Sequence, residues 1–217
     1  MSWLPAYPRD GMLYSHLNWH LALGRPEAGD TAAALRLFTE AFAPDVHSGP
    51  ARRRLNDGVS FLWRWELAGH PRNVDAWRMT LDFANGAFPR AGLAFSDMHI
   101  VLAQAVAGDE AALEAHTRQI DELGRNGRYP SGPLVPAVSR AFAAFEQRDF
   151  STTIEALEPI VGELERIGGS RAQLDLVEFT LLRAYVGADR LEDAHRMLSM
   201  RHRGSRRIAV AELGAVH

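Results

Sequence analysis

His16 and His20 stand four residues apart in Tyr14-Ser15-His16-Leu17-Asn18-Trp19-His20-Leu21-Ala22-Leu23, a spacing that stacks both imidazoles on one face of an α-helix, one turn apart. Trp19 lies beside them, and Leu17, Leu21 and Leu23 supply apolar cover. Two histidines so placed are a zinc-ligand pair, to which His99, Asp97 or Asp175 would add the remaining ligands. No motif demands a cofactor, so the expectation is none, with a divalent metal at His16, His20 and His99 as the alternative. The zinc hydrolase pattern also needs a glutamate directly after its first histidine, and Leu17 stands there, so that class is excluded. The alternative packs the histidines against Trp19 and hydrogen-bonds them to neighbouring helices.

Asp97 and His99 are spaced as an acid that orients a base, and His20 with His99 would make an acid–base pair, since imidazoles titrate near neutral pH. A nucleophile would have to be Ser15, Ser60 or Ser139, within hydrogen-bond reach of an imidazole. Ser96-Asp97 equally fits a helix cap or a first-turn acid. Gly168-Gly169-Ser170-Arg171-Ala172-Gln173 sets glycines ahead of a helix N-terminus, as phosphate loops do, but lacks the GxxxxGK[ST] spacing and any lysine. Ser170 and Gln173 fit a capping box instead, with the glycines ending the preceding helix. Arg52-Arg53-Arg54 and Arg201-His202-Arg203-Gly204-Ser205-Arg206-Arg207 carry no interleaved aromatics, which argues against a nucleic-acid partner. The second cluster suits the end of a last helix, ahead of a capping helix over 205–215.

The elements that must position these groups are helices. Ala, Leu, Arg and Glu fill the pattern, and strand-like alternation is almost absent. With 217 residues, 47% of them hydrophobic, the chain can bury a sizeable core or build a stack of small units. A net charge of -3 gives no general field for nucleic acid or an anionic membrane. There is no cysteine, hence no disulfide and no thiolate metal site. The first ten residues lack a basic segment followed by an apolar run, and no apolar stretch reaches the roughly 18 residues that span a bilayer. The expectation is a cytoplasmic protein without membrane partners. All 24 basic Lys+Arg positions are arginine, which points to a GC-rich bacterial genome.

A turn signal recurs at Gly29-Asp30, Gly69-His70, Gly108-Asp109, Arg148-Asp149 and Ala188-Asp189, with second positions 40, 39, 40 and 40 apart. This predicts helix pairs at about 11–23 with 30–43, 55–68 with 73–84, 95–107 with 109–123, 134–147 with 150–167, and 171–186 with 190–202, the turn acids capping each second helix. One all-α domain over 1–217 follows, a solenoid of about five tetratricopeptide-like pairs with a period longer than the standard 34 residues. Ten and fourteen residues before each turn, one face of every first helix carries His16 and His20, Asn56 and Ser60, Phe95 and His99, Val135 and Ser139, Asp175 and Phe179. First helices line the concave side of such stacks. The phase thus predicts a groove in which Trp19, His20, Asn56, Ser60, Arg64, His99 and Asp175 meet a ligand. Trp63 and Trp65 straddle their helix, so Trp63 is expected in the core and not both.

Several segments resemble proteins like tetratricopeptide repeat protein 38: Tyr7-Pro8-Arg9-Asp10, Ser15-His16-Leu17-Asn18-Trp19-His20, Leu62-Trp63-Arg64-Trp65-Glu66-Leu67 with Gly69, Phe95-Ser96-Asp97-Met98-His99, and Gly168-Gly169-Ser170-Arg171-Ala172-Gln173-Leu174-Asp175. They occur in that family's order, with Ser96 in place of its usual Asn and Leu174 in place of its usual Arg. The resemblance implies a tetratricopeptide-like helical fold, matching the C-terminal half of longer members, and no particular reaction. Three functions stay open: a binding module presenting a histidine-containing concave groove to a small molecule or peptide, an enzyme using His16, His20 and His99 with Asp97, and a scaffold recruiting proteins on its outer surface. Ligation and proton transfer need direct reach, so the enzyme requires those three histidines to converge.

Overall fold

The computed structural model describes residues 7–26, 29–46 and 49–200. Among them every regular element is helical: α1 (Tyr14–Gly24), α2 (Thr31–Leu37), α3 (Ala51–Leu67), α4 (Val74–Ala87), α5 (Ala94–Ala107), α6 (Glu110–Arg125), α7 (Leu134–Glu146), α8 (Phe150–Leu157), α9 (Arg171–Gly187) and α10 (Leu191–Met200). Two expected helices are broken. The second ends in a π-helical turn, Phe38–Phe42, closed by Ala43 N–H donating to Phe38 O at 2.8 Å. The eighth stops at Leu157 because Pro159 cannot continue it, and Val161–Ile167 follows as a 3-10 helix. The capping helix expected over 205–215 lies outside the described residues.

The turn rhythm is also a backbone rhythm. Gly29, Gly69, Gly108, Arg148 and Asp189 all have positive φ, between 57° and 89°. In each case the amide of that residue donates three residues back and the next amide donates five back, as in Gly108 N–H to Ala105 O and Asp109 N–H to Gln104 O. All five have the Schellman pattern; four satisfy the last carbonyls of a first helix, and at Gly29 the acceptors are Arg25 O and Pro26 O, just past the end of α1. Asp30, Asp109 and Asp149 then accept from Ala33, Ala112 and Thr152 amides at 3.1, 3.0 and 3.0 Å, capping α2, α6 and α8 as expected. The other two turns differ. Asn73, not His70, caps α4, and Asp189 is itself the left-handed residue, a conformation that a short polar side chain tolerates.

Second helices bury one stripe each, as α6 does with Leu113, His116 and Ile120. Of the first helices, α3 and α5 are enclosed on nearly all sides: every residue of α3 from Leu55 to Trp63 is buried, and every residue of α5 from Ser96 to Val106. The cause is that α3 packs on α1, α4 and α5 and also on α9. Trp63 Nε1 donates to Thr180 Oγ1 at 2.8 Å, Arg64 reaches Ala172 O at 2.7 Å, and Arg72 forks onto Glu146 with two 2.8 Å bonds. Most of the phase positions are therefore taken up by the protein's own packing, while His16, His20, Phe95 and Asp175 stay half-buried. Ser60, His99, Val135, Ser139 and Phe179 are all interior. Trp65 is buried along with Trp63, since it packs on Phe61 and stacks on His70.

A Cβ added at Gly108 would meet nothing within 4 Å, so its φ of +67° is the whole obstacle to a side chain there. Gly108→Ala should cost about 1 kcal/mol, whereas Gly86→Ala, on an open helical surface without positive φ, should gain a few tenths of a kcal/mol or more. Urea midpoints of the two variants should move in opposite directions from wild type.

Candidate functional site

His16 faces Asp57, with Nδ1 at 3.0 Å from Oδ2 and 3.2 Å from Oδ1. Asp57 has no exposed surface and also accepts from Gln173 Nε2 at 3.3 Å. Burial pushes the Asp57 carboxyl up from its ordinary value, opposed by the hydrogen bond and charge of His16, by Gln173 and by Arg53. The rings of His16 and Trp19 stack at 5.2 Å, and His20 meets both edge-on at 4.7 and 4.6 Å. With Nδ1 engaged, Nε2 of His16 has no hydrogen-bond partner among the described residues, and the side chain is 22% exposed.

His99 is elsewhere in role. It is fully buried, its Nδ1 lies 2.7 Å from Phe95 O, and its Nε2 has no partner. Burial lowers its pKa to about 4, so the imidazole is neutral. The acid beside it in sequence serves another histidine: Asp97 Oδ1 is 3.1 Å from His116 Nε2, while Oδ2 accepts from Tyr129 Oη at 2.8 Å and Gly92 N–H at 3.0 Å. Burial first, then the Asp97 charge, pushes the Tyr129 hydroxyl well above its ordinary range. Asp97 is a first-turn acid that ties α5 to α6 and to the loop before α7, and the Asp97–His99 pair expected from spacing does not form. Among the described residues no three His, Asp or Glu side chains are grouped to hold a metal ion, so His16, His20 and His99 do not assemble a ligand set.

The serines do not supply a nucleophile. Ser15 and Ser60 hydroxyls are buried without partners, and Ser139 pairs with Thr117 at 2.9 Å, none on an imidazole. Trp19 is core. The Arg64 guanidinium lies 4.8 Å over the Phe179 ring, and half-buried Asp175 meets Arg171 at 3.4 Å. Of the positions expected to contact ligand, Arg64 lines a small cavity of about 30 Å³ and Asn56 lines a larger one.

That cavity, about 350 Å³, opens where the N-terminal ends of α3, α5 and α9 come together. Arg52, Arg53 and Asn56 come from α3, Ser96 from α5 and Gln173 from α9, with Leu93, Phe95 and Ile167 as apolar walls. Asn56 Oδ1 and Ser96 Oγ are buried and have no hydrogen-bond partner among the described residues. The Gly168-Gly169 segment packs against one of its walls: a Cβ on Gly169 would lie 2.3 Å from the Phe95 ring, and its φ is +91°. These glycines are there for close approach. The capping box forms as expected, Ser170 N–H donating to Gln173 Oε1 at 3.0 Å, and it leaves the Gln173 amide nitrogen for Asp57. Polar, concave and walled by apolar groups, the cavity has the build of a small-molecule site.

No protein-family model matches the chain, and no solved structure matches it. Among the described residues no helix is long and apolar enough to cross a membrane. Asp57 is not marked by phase or spacing, and Gln173, Ser96 and the Arg52-Arg53 pair are marked only as a capping-box residue, a helix cap and a basic cluster. Asp57 carries a signal only in retrospect, as the neighbour of the in-phase Asn56.

An imidazole with a pKa near 4 in the folded chain and about 6.5 in the unfolded chain is protonated first in the unfolded state. Its neutral form thus contributes stability that is complete above about pH 6.5 and is lost as pH falls toward 4, on the order of 3 kcal/mol in full. His99→Leu should remove that component. Urea unfolding at pH 7 and pH 4.5 should show a smaller loss for the variant than for wild type.

Proposed function

We propose that this chain is a cytoplasmic, tetratricopeptide-like binding module, related to the tetratricopeptide repeat protein 38-like proteins, that holds a small molecule at the rim of its first helices. The five Schellman turns spaced by about forty residues support the repeat architecture. The observation that carries the binding function is the cavity between α3, α5 and α9, with Asn56 and Ser96 polar atoms buried at its wall and unpaired. Unpaired buried polar groups cost roughly 1–3 kcal/mol each, and a ligand that satisfies them recovers that free energy. The site differs from the expected groove. Phase places it on the interior face of the first helices, whereas the cavity lies at their ends, where the backbone still has uncommitted amides.

Ala94→Trp would set an indole into this cavity from the first residue of α5. A fragment library screened by thermal shift against wild type and this variant is the direct check. Ligands of the cavity should stabilise wild type, by about 2.7 kcal/mol at a hundred times Kd, and leave Ala94→Trp unmoved. If every compound that stabilises one protein stabilises the other equally, the cavity is not a binding site.

The His16–Asp57 pair favours a second function, acid–base catalysis, because a buried carboxylate fixes the ring and leaves Nε2 outward. A panel of chromogenic esters and phosphoesters assayed with wild type and His16→Gln decides it. Turnover that falls by about 10²-fold or more in the variant would support catalysis; equal turnover, or none with wild type, removes it.

A further inference from the structure

Helix starts ordinarily carry acids, because the free amides of the first turn make that end electropositive. α3 does the reverse. It has no acidic residue in its first turn and carries Arg52, Arg53 and Arg54 there, and its N-cap, Pro50, offers no side-chain acceptor. α5, whose start faces the same cavity, is capped by Leu93 and likewise has no side chain accepting from its first amides. Two of the arginines are held by the protein: Arg53 donates to Met12 O, and Arg54 to Pro44 O and to Val46 O. Arg52 is exposed, lines the cavity, and makes no hydrogen bond or ion pair with any described residue. Beside it the Ser96 hydroxyl, on a residue 1% exposed, has no hydrogen-bond partner among the described residues and can donate to an anion, and Asn56 Oδ1, on a residue 3% exposed, is an unpartnered acceptor. Asp57, next to Asn56 in sequence, is turned to His16 and Gln173, and Asp97, next to Ser96, to His116, Tyr129 and the Gly92 amide.

We propose that the cavity selects a small organic anion, its oxyanion head held by Arg52, Ser96 and the first-turn amides of α3 and α5, and its apolar body lying against Leu93, Phe95 and Ile167. This rests on the small-molecule function proposed above and adds the ligand's charge class. Cations gathered at a positive helix end are mutually unfavourable until an anion joins them, and a helix start supplies fixed amide donors for that anion. The planar guanidinium fork suits a carboxylate or a phosphate alike.

Phenylacetate, phenyl phosphate and neutral phenylacetamide have one ring and three head groups. Calorimetric titration of the full chain should show both anions binding more tightly than the amide, with affinity falling as salt is raised. Arg52→Gln, on an exposed side chain that leaves the fold intact by thermal unfolding, should weaken either anion roughly tenfold or more and leave phenylacetamide unchanged. Arg52→Lys should fall between. The ratio of the two anions' affinities distinguishes a carboxylate from a phosphate site. Phenylacetamide binding as tightly as phenylacetate, anion binding unaffected by Arg52→Gln, or no binding of any probe would each overturn anion selectivity. Neutral fragments that discriminate wild type from Ala94→Trp would in those cases still leave the cavity a binding site.

Discussion

A carboxylate placed in a helix with no exposed surface must be met by partners, and Asp57 is met from two directions. His16 comes from α1, 41 residues earlier in sequence, and Gln173 from α9, 116 residues later. Taking either away would leave a buried charge under-satisfied, a far larger penalty than the net gain from making the contact. The arrangement of α1, α3 and α9 is therefore specified by polar geometry as well as by apolar burial. Trp63 repeats the device one face away, its indole N–H passing to Thr180, whose own hydroxyl bonds within α9 to Leu176 O.

From that meeting of helices comes the placement of the cavity. Interdigitated side chains fill the middle of the first helices, and buried pairs such as Asp97 with His116 and Tyr129 leave no room there for a ligand. The ends of helices cannot be filled in the same way, because their first amides need acceptors that the helix does not provide. Asp30, Asn73, Asp109 and Asp149 provide them at α2, α4, α6 and α8, all second helices. The starts of α3 and α5 go without, at the cavity mouth.

The sequence made the helices legible through period and caps, and made the turns legible through a forty-residue echo that the backbone repeats. Trp63 and Trp65 show where this stopped. Amphipathic logic allots one face to the core, and α3 has no solvent face for its central turns because α9 covers it. A contact between residues more than a hundred positions apart leaves no periodic trace. For the same reason His99 was misread: its phase matches His20, yet α5 is enclosed and the imidazole is sealed against Phe95 O. Asp97 was recognised as an acid that orients a base, but its base stands on α6, at a spacing no helix motif encodes. Phase marks Asn56, whereas Ser96 fits a cap and the three arginines fall ahead of the expected helix, since α3 begins at Ala51 and not near 55.

Contact of α9 with α3 also changes what kind of object the chain is when it folds. In an open stack each unit touches only its neighbours, so ends fray and units can be added or lost with roughly additive effect. Here Trp63 to Thr180 and Asp57 to Gln173 bridge 117 and 116 positions. Contacts of such sequence separation raise the entropic cost of closure and slow folding. Once made, they tie α3 directly to α9 across all the helices that lie between them in sequence.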